Sequence, residues 1–112
     1  MCGICGFITP PSSNGHQTTE EILGNMCLAI QHRGSDGHGE YIDPHNGLAL
    51  GHQRLSIIDI DGGAQPLYNS KKTAWIIFNG EIYNYKILRH ELIALGHSFS
   101  SQSDTEVILE SY

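Results

Sequence analysis

Basic residues are scarce in this chain of 112 residues: 6 lysines and arginines stand against 12 aspartates and glutamates, a formal charge of −6. A nucleic-acid-binding surface normally needs a basic face to neutralise phosphates, so the balance argues against that class. Long apolar runs are missing as well. No stretch reaches the roughly 18 residues that mark a membrane-spanning helix. Met1 to Pro11 offers neither a basic start nor a hydrophobic segment, so no signal peptide is expected. Cysteine is limited to 3 residues. Without a secretory signal these fit a reducing cytoplasm and no disulfide framework. Repeats and low-complexity tracts are also lacking, and the length allows at most one small domain.

Glycine, by contrast, is abundant at 13 residues, above the roughly 7% of average chains. The glycines gather beside polar residues, in Arg33-Gly34-Ser35-Asp36-Gly37-His38-Gly39 and in Asn79-Gly80-Glu81. That pattern suggests tight turns around a site. The most informative residue is Cys2, directly behind the initiator methionine. Removal of Met1 would give one residue a thiol and a free α-amine. An α-amine titrates at about 7.7–8.0, against about 10.4 for lysine, so it can serve as a base near neutrality. A nucleophile with a base on its own backbone needs no separate histidine. The alternative for Cys2 is an ordinary thiol.

Hydrophobic patterning predicts a strand over Ile4 to Thr9 and a loop over Pro10 to Gly15. Thr18 and Glu21 have capping-box spacing for a helix to about Gln31, with Ile22, Met26, Ala29 and Ile30 on one face. His32 to Gly39 reads as a glycine-rich loop, Glu40 to Asp43 as a strand, and Pro44 to Gly47 as a hairpin turn. Leu48 to Ile60 holds one or two strands, and Gln65 to Lys72 is irregular. Thr73 to Phe78 reads as a buried strand. Asn84 is expected to cap a second helix with Leu88, Leu92 and Leu95 on one stripe and Gly96 as its stop. His97 to Gln102 is expected to return as a short strand. A last helix follows Ser103, which again has capping-box spacing to Glu106. Helices set between groups of strands favour an α+β layered fold over a βαβ sheet. The abrupt close on an apolar helix reads as the N-terminal piece of something longer.

Several residue sets could carry chemistry. Cys2 and Cys5 form a C-x-x-C pair, but on a strand they face opposite sides, which disfavours a redox or zinc motif. Cys5 and Cys27 are expected to be small buried hydrophobes, and no metal ligands are assigned. Arg54 in the apolar Leu48–Ile60 segment is either a surface residue or a guanidinium fork for a carboxylate. Asn79-Gly80 is either a plain turn or a pair of oxyanion donors. Asp104 is either a helix cap or a partner for an ammonium group.

Taken in order, these segments resemble the glutaminase domain of class II glutamine amidotransferases, and among them the glutamine-hydrolysing asparagine synthetases. The matching stretches include Met1-Cys2-Gly3-Ile4, His32-Arg33-Gly34 with Asp36, and Arg54-Leu55-Ser56-Ile57-Ile58-Asp59. They continue with Gln65-Pro66-Leu67-Tyr68, Phe78-Asn79-Gly80-Glu81-Ile82-Tyr83-Asn84 and Ser103-Asp104-Thr105-Glu106. Ser35 stands where the family often has proline. The resemblance implies an N-terminal-nucleophile hydrolase fold, a four-layer αββα sandwich of which residues 1–112 would be the N-terminal part. It implies that Cys2 attacks the glutamine side-chain amide, that Asn79 and Gly80 hold the oxyanion, and that Arg54 binds the α-carboxylate. Glu81 and Asp104 would bind the α-ammonium, and Ile57 and Ile58 would belong to the glutamine-contacting set with Asn79. No cofactor is implied for this domain. ATP and Mg²⁺ would belong to a C-terminal synthetase domain outside this chain, which would adenylate aspartate and take the ammonia. The longer protein could be a homodimer, with neither nucleic acid nor membrane among its partners. Two alternatives share the fold: an amidotransferase with another acceptor, and a non-catalytic module that binds free amino acids.

Overall fold

The computed structural model describes residues 1–9, 17–55 and 63–112. In chain order the elements are β1 (Gly3–Ile8), α1 (Thr19–Ala29), a single 3-10 turn (Gln31–Arg33), β2 (Gly37–Asp43) and β3 (Leu48–Arg54). They continue with β4 (Leu67–Tyr68), β5 (Trp75–Ile76), α2 (Tyr85–Ala94) and α3 (Asp104–Ser111). The expected loop over Pro10–Gly15 and the stretch from Ser56 to Ile60 lie outside the described residues.

The three longer strands form an antiparallel sheet in the order β1-β3-β2. Register pairs Cys5 with Gly51 and Phe7 with Ala49 on one side, and Ile42 with Ala49 on the other. Alternation therefore sends Cys5, Phe7, Ala49 and Ile42 to the same face, where they pack on Leu23 and Cys27 of α1. The sheet comes very close to the helix at Gly51: a Cβ there would lie 2.4 Å from Cys27 Sγ. That approach selects the Leu23–Cys27 stripe, four residues apart, as the buried face of α1. The expected face was one position off: Ala29 is exposed, and Ile22, Met26 and Ile30 are only half-buried. The predicted capping box is present in both halves, with Glu21 N–H donating to Thr18 Oγ1 at 3.2 Å and Thr18 N–H to Glu21 at 3.0 Å.

The opposite face of the sheet meets the short β4–β5 pair through Tyr41, whose ring stacks on Trp75 with centroids 4.2 Å apart. α3 packs on β4 and β5, and α2 packs on α3. Among the described residues, the result is an α+β arrangement of two sheets and three helices.

Four expected elements differ. β2 begins at Gly37, not Glu40, because its ladder with β3 continues through Gly37–Arg54 and Gly39–His52. Within Gln65–Lys72, Leu67 and Tyr68 form a strand, closed by Asn69, whose side-chain oxygen accepts from Thr73 and Ala74 N–H. The buried strand expected over Thr73 to Phe78 shrinks to Trp75–Ile76 and is half-buried, since it pairs only with the two residues of β4. His97 to Gln102 is not a strand. Its backbone N–H groups at Ser100 and Ser101 turn instead onto the buried carboxylate of Glu106, at 2.7 and 2.8 Å.

That arrangement also alters the start of α3. Ser103 caps it by accepting from Thr105 N–H at 3.2 Å, while Glu106 serves the preceding segment instead of completing a box. Burial pushes the Glu106 carboxyl up, but the bonds from Ser100 and Ser101 outweigh it and hold the group below the ordinary range. α2 starts after Asn84, whose side chain makes no cap bond. It ends as expected at Gly96, with His97 N–H on Leu92 O and Gly96 N–H on Ile93 O, a Schellman closure.

Candidate functional site

The antiparallel pairing of Gly3 with Gln53 carries the residue before β1 past the end of β3. Cys2 therefore sits beside Leu55, whose N–H points to Sγ at 3.4 Å and whose carbonyl lies 3.9 Å from it. Arg54, the last residue of β3, projects from the same end of the sheet. Its backbone is held by the glycine-rich loop, where Asp36 N–H donates to Arg54 O at 2.9 Å. Its guanidinium lies over Gly63, where a Cβ would come within 2.6 Å of it. The absence of a side chain at Gly63 thus leaves room for the arginine head.

The Phe78–Ile82 turn crosses the same opening. Asn79 Nδ2 donates to the Cys2 carbonyl at 3.0 Å. On the far side, Asp104 Oδ2 accepts from Ile82 N–H at 2.8 Å. Asp104 is the first residue of α3, yet its carboxylate grips the turn across from it rather than capping its own helix; Ser103 does that. Cys2, Arg54, Asn79, Gly80, Glu81 and Asp104 all line one cavity of about 690 Å³. The lining thus combines one guanidinium residue, two carboxylate residues, a thiol and the Asn79-Gly80 turn. A guanidinium can grip a carboxylate with two parallel bonds, and a carboxylate can receive an ammonium group. Ile57 and Ile58 lie outside the described residues.

Two lining residues were not foreseen as functional. His52 is 2% exposed, and its Nε2 has no partner among the described residues. Burial pushes the pKa of the ring down, the Arg54 charge adds to this, and the Phe78 backbone partly opposes it. The signal was in the sequence: His52 and Arg54 are two apart on one strand and so share a face. Gln65 accepts from Phe78 N–H at 2.6 Å, a contact that no local pattern announces.

On the other face of the sheet, Cys27, His38 and Glu40 bring donor atoms within 4.8 Å of one another. Sequence reading assigned no metal ligand, although His38 and Glu40 share a strand face. Two of the three donors already carry a proton. Gln53 donates to His38 Nδ1 at 3.0 Å, which leaves Nε2 carrying the proton toward Glu40, also at 3.0 Å. Burial pushes the Cys27 thiol up to about 12, with Cys5 and Glu40 adding to it. A metal would have to displace both protons. Cys5 lies 3.5 Å from Cys27, sulfur to sulfur, and both are free thiols; Cys27 is buried as expected, Cys5 only half-buried, and Cys5 packs toward α1 while Cys2 lines the cavity.

The glutamine amidotransferase domain profile matches residues 1–112. The chain is 47% identical over 112 residues to asparagine synthetase [glutamine-hydrolyzing] 1 of Bacillus subtilis (strain 168), covering 100% of this chain and 17% of that protein. It is also 47% identical over 112 residues to asparagine synthetase B [glutamine-hydrolyzing] of Escherichia coli (strain K12), covering 100% and 19%. Asparagine synthetase [glutamine-hydrolyzing] 1 of Arabidopsis thaliana is 40% identical over 112 residues, covering 100% and 18%. The chain therefore spans less than a fifth of the length of these three relatives. Among the described residues, no helix is long and apolar enough to cross a membrane.

Proposed function

Because the chain belongs to the glutamine amidotransferase domain family, we propose that within the longer protein it hydrolyses the side-chain amide of glutamine through Cys2, residues 1–112 alone having little or no activity. The observation that carries this reading is the convergence of Cys2, Arg54, Asn79, Gly80, Glu81 and Asp104, distant in sequence, on one cavity.

With Met1 removed, the α-amine of Cys2 takes the thiol proton as sulfur attacks the amide carbon. The carbonyl π-bond opens onto oxygen, and the Asn79 carboxamide and Gly80 N–H receive the resulting oxyanion. Collapse expels the amide nitrogen, which takes the proton from the α-amine and leaves as ammonia. The Cys2 thioester then adds water and breaks at its C–S bond, giving glutamate and the free thiol. Arg54 grips the α-carboxylate, and Glu81 and Asp104 receive the α-ammonium, so the charges of a free amino acid are matched group for group. Ile57 and Ile58 complete the glutamine-contacting set in this reading.

In the longer protein we assign residues 1–112 to the N-terminal part of the glutaminase domain, in a four-layer αββα sandwich. The contacts of α1, the two sheets and α3 are compatible with that order. A synthetase domain outside this chain would use ATP and Mg²⁺ to activate aspartate and receive the ammonia. The names and lengths of the relatives support this coupling. In the full-length protein, Cys2→Ala abolishes glutamine hydrolysis and leaves ammonia-dependent asparagine formation intact. Retained glutaminase activity in that variant refutes the nucleophile assignment. An intact Met1 on the active enzyme, read by mass spectrometry, refutes the α-amine as base.

A further inference from the structure

We infer that Gln65 is a positioning residue for the Asn79-Gly80 turn, an inference that rests on reading that turn as the oxyanion site. The turn is bracketed by two hydrogen bonds. Phe78 N–H donates to Gln65 Oε1 at 2.6 Å on its near side, and Ile82 N–H donates to Asp104 Oδ2 at 2.8 Å on its far side. Both brackets lead to the same place. Gln65 Nε2 reaches Thr105 Oγ1 at 3.5 Å, and Thr105 follows Asp104 in the first turn of α3. The start of one helix thus holds residues 79–81 from both ends, directly through Asp104 and by way of Gln65.

Gln65 is itself fixed from behind. A Cβ on Gly39 would fall 1.8 Å from the Gln65 carbonyl oxygen, so β2 presses directly on its backbone. Among the described residues, no secondary-structure ladder reaches Phe78, since β5 ends at Ile76. The side chain of Gln65 does for Phe78 N–H what a neighbouring strand would otherwise do. An oxyanion site contributes through donors already in place before charge develops. Donors that must be ordered at each turnover contribute less.

The test uses the full-length protein, glutamine as substrate, and two variants. Gln65→Met keeps the length of the side chain and removes its polar atoms. It lowers kcat for glutamine hydrolysis about 10- to 100-fold, as misplacement of a reacting group by about 1 Å does, with KM within about threefold of wild type. Gln65→Glu keeps an oxygen for Phe78 N–H and recovers most of kcat. Unchanged kcat in the methionine variant, a rise in KM alone, or a glutamate variant as impaired as methionine overturns the proposal. Amide hydrogen exchange gives a second readout that needs no activity. Faster exchange confined to residues 78–82 in Gln65→Met supports the bracket; unchanged or chain-wide acceleration refutes it. If the wild-type protein hydrolyses no glutamine, the functional reading falls and exchange alone decides the bracket.

Discussion

The carboxamide of Asn79 donates to the backbone carbonyl of Cys2 at 3.0 Å, joining residues 77 positions apart. The side chain proposed as oxyanion donor is thus held by the residue proposed as nucleophile. Thiol and donor cannot drift apart without breaking this bond. In the reaction proposed here, the glutamine carbonyl oxygen takes over an N–H already aimed at Cys2.

Asn79→Ala removes that donor and leaves Gly80 N–H alone. Glutamine hydrolysis by the full-length protein is expected to fall by about 10²–10³ in kcat. Steady-state assays of glutamate release check this. A loss of less than tenfold places the oxyanion elsewhere.

Arg54→Lys tests the guanidinium fork. Lysine keeps the charge but cannot grip a carboxylate with two parallel N–H bonds. The expected result is a rise in KM for glutamine of about 10-fold or more, corresponding to about 1.4 kcal/mol, with a smaller change in kcat. Glutamine analogues lacking the α-carboxylate should be turned over equally poorly by both forms. An unchanged KM would return Arg54 to the surface-residue alternative.

His52 makes stability depend on pH. Its folded pKa is lowered from 6.5, first by burial and then by the Arg54 charge. Between the folded value and 6.5 the unfolded chain holds the extra proton, so stability falls as pH drops below 6.5 and levels off under the folded value. Urea unfolding between pH 5 and pH 8 measures this, and His52→Gln should flatten the curve. A curve with the same slope in both proteins would assign the proton to another group.

Much of the framework was legible because local chemistry announces it. The Thr18–Glu21 capping box, the hairpin turn before β3 and the Gly96 closure each rest on residues a few positions apart. The residues Cys2, Arg54, Asn79-Gly80 and Asp104 were each open to a bland reading by local chemistry; the family resemblance of their motifs singled them out, and the fold brings them to one cavity. What escaped was set by distant packing. The buried stripe of α1 was chosen by the close approach at Gly51, which no pattern within α1 reveals. Ser100 and Ser101 abandon the expected strand because Glu106, in the next helix, offers a carboxylate to their N–H groups. Gln65 looked irregular because its role depends on Phe78, 13 positions on.

Trp75 is the one tryptophan of this chain, and it lies flat against Tyr41 across the gap between the two sheets. An indole in that place is a natural optical gauge. Within this chain, its emission reports whether the β4–β5 pair stays seated on the larger sheet, separately from any assay of catalysis. A substitution that abolishes activity in the full-length protein but leaves this chain's emission unchanged would then point to a fault at Cys2 and its surroundings; one that also shifts this chain's emission to the red would point to the sheets coming apart.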